Sequence, residues 1–170
     1  DHGEMARIFP VSDAVTRPNH PEQSGYFSAA GGMGHLSAAG WPQDLQGAVF
    51  VCDVVGNLVH REVIQTRGSA FVASRATNEP DHEFLASRDP AFRPVALETG
   101  PDGALYLLDM QREVIEHPDY IPQKVRATLD LRAGQDRGRI HRITPRGGAS
   151  RRIPRLAAMT PARWVDHLAD

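Results

Sequence analysis

Cysteine, long apolar runs and an excess of charge of either sign are scarce in this 170-residue sequence. The single cysteine, Cys52, excludes an internal disulfide framework and a cysteine-based zinc site. Without a Cys-x-x-Cys-His motif this segment cannot attach haem covalently. No apolar run approaches the roughly 18 residues of a membrane-spanning helix, so no membrane span is predicted. The formal net charge of −2 argues against nucleic acid as the main partner.

Glycine and proline are frequent instead, with 15 and 13 residues, and they favour many short strands over long helices. Two segments, at 47–53 and 103–109, share the pattern Gly-Ala-aliphatic-aromatic-aliphatic-x-Asp. An aliphatic-His-Arg strand follows each of them, with His60 in the first copy and His141 in the second. A repeated antiparallel unit of this kind predicts blades of a β-propeller, and the alternative is two unrelated hairpins in a sandwich.

The repeat therefore predicts an all-β fold of antiparallel propeller blades, incomplete and numbering about two. An isolated pair of blades leaves two blade faces uncovered, with Phe50 and Tyr106 partly exposed. Thr160 and Pro161 are typical of a helix start. The expected elements are strands near 47–53, 57–64, 93–98, 103–108 and 139–144, a short helix near 123–130 and another from residue 161.

Five motifs occur in a fixed order along the second half of the chain, at 87–95, 100–106, 109–112, 115–118 and 138–143. Together they resemble the membrane-bound dehydrogenase domain of Planctomycetes and Verrucomicrobia, a PVC-type haem-binding protein family. Three positions depart from the usual pattern of that family. Ala91 stands where a tryptophan is usual, and Gln111 and His141 replace usual tyrosines.

The resemblance implies a six-bladed β-propeller similar to soluble glucose and sorbosone dehydrogenases. It divides the chain into the C-terminal part of a propeller domain at 1–145, a basic linker at 146–159 and the start of a HEAT-like helical module at 160–170. The implied activity is oxidation of sugars or related alcohols, with electrons passed to a c-type haem domain of the same or a partner chain. The implied cofactors are pyrroloquinoline quinone and calcium, and the implied location is periplasmic or secreted. The alternative is a non-catalytic propeller scaffold that binds glycan or protein, because a fold does not fix a function.

Strand alternation places the loop before the strand at 93–98 and the loop after the strand at 103–109 at one end of a blade. The polar residues expected to converge there are Asp89, Arg93, Asp109, Arg112, Glu116 and His117. His117 is the expected general base for a hydroxyl proton, with Asp109 or Asp89 as its carboxylate partner. The arginines Arg93 and Arg112 could hold a carboxylated or quinonoid cofactor, and the carboxylates could instead bind calcium.

Structural roles compete with each of these assignments. Asp89 precedes Pro90 and can cap a turn. Arg93 and Asp109 can form an ion pair that ties two strands, and His117 beside Pro118 can be a surface turn residue. His60 and His141 occupy matching strand positions, which favours a repeated packing role over chemistry.

Overall fold

The computed structural model describes residues 7–13, 25–147, 153 and 155–166. Its strands form two antiparallel sheets, so the all-β prediction is confirmed at this level. The first sheet has the order β1-β2-β3-β4, with the short β5 paired to β3, and its strands are Ala30–His35, Val49–Asp53, Leu58–Arg67, Ala70–Arg75 and Leu85–Ala86. The second sheet has the order β6-β7-β8, with strands Pro94–Thr99, Leu105–Asp109 and Arg139–Ile143.

The strands expected from the sequence all form, and their bounds shift by three residues or fewer. The helices are short: α1 is Gln123–Arg126 and α2 is Pro161–Asp166, with 3-10 turns at Pro118–Tyr120 and Leu156–Ala158. Within the described ranges no helix has the length and apolar character of a membrane span. Residues 148–152 and 154 of the expected linker, and 167–170 of the expected helical module, lie outside the described residues.

The repeat seen in the sequence is preserved in the pairing of the strands. In the first sheet Val51 of β2 lies opposite His60 of β3, and in the second sheet Leu107 of β7 lies opposite His141 of β8. Val51 and Leu107 occupy the same position of the repeated seven-residue pattern. The two histidines are therefore equivalent in three dimensions.

The sheets stack face to face, and glycines of β1 set their spacing. A Cβ atom on Gly32 would overlap the carbonyl oxygen of Val95, and one on Gly34 would overlap that of Leu97. Only glycine allows the backbone of β1 to approach β6 this closely. The residue pairing of β1 with β2 also shifts between Ala30 and Met33, as expected for a bulge in a glycine-rich strand.

The hydrophobic core lies between the two sheets. It contains Phe50, Cys52 and Val59 from the first sheet and Leu105 and Leu107 from the second, all fully buried. The expectation that Phe50 would be partly exposed is wrong, because its side of β2 is the side that the second sheet covers. Burial, followed by the nearby charge of Asp53, raises the pKa of the Cys52 thiol to about 12.

Two side chains join the sheets where the chain enters β6. Asn57, in the β2–β3 turn, donates from Nδ2 to the carbonyl oxygens of Pro90 and Phe92, at 3.2 and 2.6 Å. Arg93 donates from Nη1 to the carbonyl of Val54 in the same turn, at 2.7 Å. These bonds fix the start of β6 against the β2–β3 turn of the first sheet.

Candidate functional site

Asp109, the last residue of β7, is the centre of the polar cluster at this end of the second sheet. Its Oδ1 accepts hydrogen bonds from the backbone N–H groups of Arg93 and Gln111, at 2.8 and 2.9 Å. Its Oδ2 lies 2.8 Å from Nη2 of Arg139 and 3.3 Å from Nε2 of His141. The side chain of Asp109 is fully buried although its partners reach the surface.

Half of this arrangement is a repeated structural feature. Asp53 ends β2 as Asp109 ends β7, and it accepts from the backbone N–H groups of Ala29 and Val55. Ala29 precedes β1 as Arg93 precedes β6, and Val55 follows Asp53 by two residues as Gln111 follows Asp109. In both repeats the aspartate thus ties the chain entering the first strand to the turn after the second. The contacts of Asp109 with Arg139 and His141 are side-chain contacts beyond this shared role.

The groups around Asp109 stabilise the ionised form of its carboxyl group. Burial alone would raise the pKa of this carboxyl group. The hydrogen bonds from the backbone of Arg93 and Gln111 and from His141, together with the positive charge of Arg139, outweigh burial and lower the pKa below its usual value. Asp109 is therefore an anion that can orient an imidazole.

His141 combines a buried carboxylate partner with an exposed edge. Its side chain is 39% exposed, and its ring meets the Phe92 ring edge to face at 6.0 Å between centroids. Since a carboxylate only accepts hydrogen bonds, Nε2 carries the proton in this contact and Nδ1 of the neutral ring is left as an acceptor. Nδ1 has no hydrogen-bond partner in the part of the chain that the structure describes.

A polar rim of Gln111, Asp89 and Arg139 adjoins the carboxylate that His141 contacts. Gln111 donates from Nε2 to Oδ2 of Asp89 at 3.3 Å, and Nη2 of Arg139 lies 3.8 Å from the same oxygen. Gln111 has a φ of 50°, in the left-handed region that non-glycine residues rarely adopt. Gly134 packs so closely on the carbonyl of Gln111 that a Cβ there would overlap it. The long β7–β8 connection therefore holds Gln111 in this conformation.

The loop before β6 and the loop after β7 meet as expected, but the guanidinium of Arg93 is held by structural hydrogen bonds. Its guanidinium is buried and donates to the carbonyl oxygens of Val54, Arg112 and Glu113, at 2.7, 2.8 and 2.7 Å. The bond that joins Arg93 to Asp109 comes from its backbone N–H group. This guanidinium does not fit the expected role of holding the carboxylate of a cofactor.

Arg112 and Glu116 are also placed by local contacts. Arg112 donates from Nη2 to the carbonyl of Leu131 at 2.9 Å and lines a cavity of about 380 Å³ with Met110 and Ile115. Glu116 accepts from the backbone N–H of Ile115 at 3.3 Å. Within the described ranges, neither side chain contacts Asp109.

The expectation that His117 faces Asp109 or Asp89 is wrong. Its side chain is 65% exposed, its Nδ1 accepts from the backbone N–H of Asp119, and its ring packs against Tyr120. The physical reason is the turn that follows, because Pro118 begins a 3-10 turn for which His117 is the N-terminal cap. The histidine that meets Asp109 is His141, which sequence reasoning had assigned to packing.

Calcium does not fit this cluster. The guanidinium of Arg139 lies between the carboxylates of Asp89 and Asp109, where a cation would have to sit. In the described ranges no group of three histidine, cysteine, aspartate or glutamate side chains has the geometry to hold a metal ion.

The signal for His141 was present in the sequence. The repeat placed His141 opposite the second strand, and Asp109 ends that strand two residues beyond Leu107. Neighbouring positions on one side of an antiparallel pair bring such side chains together. The same register places Arg139 directly opposite Asp109.

A family model described as a domain of unknown function, DUF7133, matches residues 1–147 of the chain. No curated protein and no solved structure matches the chain.

Proposed function

From the geometry of the site we propose that this chain, which belongs to the DUF7133 family of unknown function, is part of a β-propeller dehydrogenase. In this proposal His141 removes the hydroxyl proton of a sugar or related alcohol. The observation that carries it is the pair formed by buried Asp109 and half-exposed His141.

The propeller part of the proposal is supported by the stacking of the sheets. Each sheet is an antiparallel meander that begins with the strand nearest the other sheet, β1 or β6. The same seven-residue pattern forms the second strand of each. Repeated meanders that stack face to face with closely approaching first strands are typical of neighbouring propeller blades.

The base assignment follows from the orientation of the ring. Oδ2 of Asp109 accepts a hydrogen bond from the Nε2–H group of His141, which leaves Nδ1 as the acceptor. When Nδ1 takes a proton, the anionic Asp109 stabilises the imidazolium that forms.

The rim supplies groups that match hydroxyl-rich substrates. Asp89 can accept hydrogen bonds and Arg139 can donate them, and each side chain is 46% exposed. Sugars present both donors and acceptors in neighbouring positions, so a mixed rim beside His141 suits them better than a purely apolar pocket.

The oxidant and the haem acceptor of this proposal come from the family resemblance, as does a periplasmic or secreted location. The described residues fit neither a calcium ion at Asp109 nor a quinone carboxylate at Arg93. The chemistry assigned to this chain is therefore limited to the proton acceptor and the substrate-binding rim.

Turnover with an artificial electron acceptor tests the proposal, in the presence of pyrroloquinoline quinone and calcium and with a panel of sugars. We expect His141→Gln to lower kcat about 10²-fold or more, because general-base catalysis contributes at least that much. His117→Gln is the matched control, since His117 is exposed and lies apart from Asp109, and it should leave kcat unchanged. Equal rates for the two variants, or the absence of turnover by the unchanged protein, would refute the assignment.

A non-catalytic scaffold is the second candidate, and the backbone contacts of Asp109 favour it. Asp53 makes the equivalent contacts in the first repeat without an exposed histidine beside it, so Asp109 has a sufficient structural reason to be there. A glycan array separates the two candidates. Glycan binding that His141→Gln leaves intact, in a protein without turnover, identifies the scaffold.

A further inference from the structure

Each sheet has an outer side that the other sheet does not cover. On the first sheet this outer face is an apolar groove of about 880 Å³, lined by residues that include Met33, Val49, Val51, Ile64 and Phe71. Met33 is 67% and Phe71 is 74% exposed. A contiguous apolar surface of this kind marks an interaction site in a soluble protein.

The repeat shows what the outer face of the first sheet resembles. Through the pairing of the strands, Met33 and Val51 correspond to Leu97 and Leu107 of the second sheet. Leu97 and Leu107 are buried against the inner side of the first sheet. The outer face of the first sheet therefore repeats the surface by which the second sheet docks.

The outer face of the second sheet repeats the other half of that interface. Tyr106, Leu108 and Ile140 correspond to Phe50, Cys52 and Val59, which lie in the core against the second sheet. Arg142 corresponds to Arg61, which is buried beside Asp44 and Glu79. The replacements keep an aromatic ring, two apolar side chains and the arginine. Ile140 is 68% and Leu108 is 40% exposed.

We propose that copies of this chain associate head to tail, with the outer face of the second sheet of one copy covering the outer face of the first sheet of the next. The contact repeats the interface that already joins the two sheets within the chain. It is heterologous, because the two surfaces differ, and so it leaves one face of each kind open for a further copy.

The fit between the two outer faces sets the expected strength of the association. Glu98 corresponds to Gly34, the residue that allows β1 to approach β6 closely. The contact between copies cannot become as close as the one within the chain. We therefore expect association that depends on concentration.

Sedimentation velocity of the full chain over a range of concentrations tests the proposal. We expect Met33→Lys and Ile140→Lys each to shift the midpoint of association by about tenfold or more to higher concentration. Both side chains are exposed in the single copy, so the substitutions disturb no core contact. Val125→Lys, at an exposed apolar residue of α1, is the matched control and should leave association unchanged.

Mixing the two variants gives the decisive measurement. The Met33→Lys chain keeps the outer face of its second sheet, and the Ile140→Lys chain keeps that of its first, so an equimolar mixture should form a dimer that grows no further. A monomer at all concentrations would overturn the proposal. Loss of association in Met33→Lys alone would overturn it as well, since it would indicate pairing of two first sheets. If Met33→Lys unfolds, Phe71→Glu tests the same face, and His141→Gln should associate normally whatever its activity.

Discussion

The two sheets place a histidine at the same register position and give it opposite surroundings. In the first sheet, Nδ1 of His60 lies 2.6 Å from Glu83 and Nε2 lies 3.0 Å from Glu62, with all three side chains buried. In the second sheet, His141 meets one carboxylate and keeps a half-exposed edge. Glu83 lies just before β5, which pairs with β3 next to His60, whereas the described part of the second sheet ends at β8.

The comparison separates a buried structural ion, His60, from the half-exposed His141 to which we assign chemistry. Burial would lower the pKa of His60, but the hydrogen bonds with Glu62 and Glu83 and the charge of Glu83 raise it above its usual value. His60 is thus held as a cation that binds two buried carboxylates. The same backbone position serves stability where it is covered, and in our proposal it supplies a proton acceptor where it is open.

Removing each imidazole is the strongest test of this difference. His60→Ala leaves Glu62 and Glu83 buried without their cation, and we expect it to lower the free energy of unfolding by about 3–5 kcal/mol. His141→Ala breaks a half-exposed contact and should cost less than about 1 kcal/mol. Urea denaturation at low protein concentration measures both. Equal losses would show that the two histidines do not differ in role.

A change in the spacing between the sheets should have the next largest effect on stability. A methyl group at Gly34 overlaps the Leu97 carbonyl, so Gly34→Ala must push β1 from β6 at a cost of about 1–3 kcal/mol. Gly31→Ala, in the same strand, meets only ordinary contacts and is the matched control. Thermal unfolding compares them. Unchanged stability in Gly34→Ala would mean that the close approach is not required.

The pH dependence of stability tests the role assigned to His60. Because the folded-state pKa of His60 lies above 6.5, its contribution is complete below about pH 6.5 and is lost as pH rises through the folded-state pKa. We expect the free energy of unfolding of the unchanged protein to fall over that range. Urea titrations at successive pH values should show a flatter profile in His60→Gln, and an unaltered slope there would contradict the assignment.

The smallest effect concerns Asn57 and Gln111, two non-glycine residues with positive φ in the described ranges. Gln111→Gly relieves the left-handed backbone and gives up only one exposed bond to Asp89, so stability should change by less than about 1 kcal/mol. Asn57→Gly loses two bonds to the entry of β6 and should cost about 1–2 kcal/mol. A larger loss in Gln111→Gly than in Asn57→Gly, measured by thermal unfolding, would reverse this interpretation.

Much of the fold could be predicted because the repeat appears as a local pattern of residues in the sequence. The segments at 47–53 and 103–109 predicted β2 and β7, and the glycine and aromatic positions predicted that they are equivalent. The pattern did not tell which side of β2 would be covered. Phe50 was therefore expected at an open face, although it lies in the core.

The site was only partly predictable, since contacts across a long connection depend on register. Topology correctly joined the loop before β6 to the end of β7, and Asp109 was found this way. His117 was chosen because it follows β7 closely in sequence, whereas the pairing of β7 with β8 brings His141 to Asp109. The fate of the Arg93 guanidinium depended on three carbonyl groups, and carbonyl groups leave no signal in a sequence.

The lone thiol of Cys52 offers a built-in probe of the contact between the sheets. It lies in the core between them, and with a pKa of about 12 it stays protonated at ordinary pH. A thiol reagent can reach it only when the two sheets part, so the labelling rate reports how often they separate. The chain thus carries its own measure of local opening, with no label to introduce and no second thiol to confuse the signal.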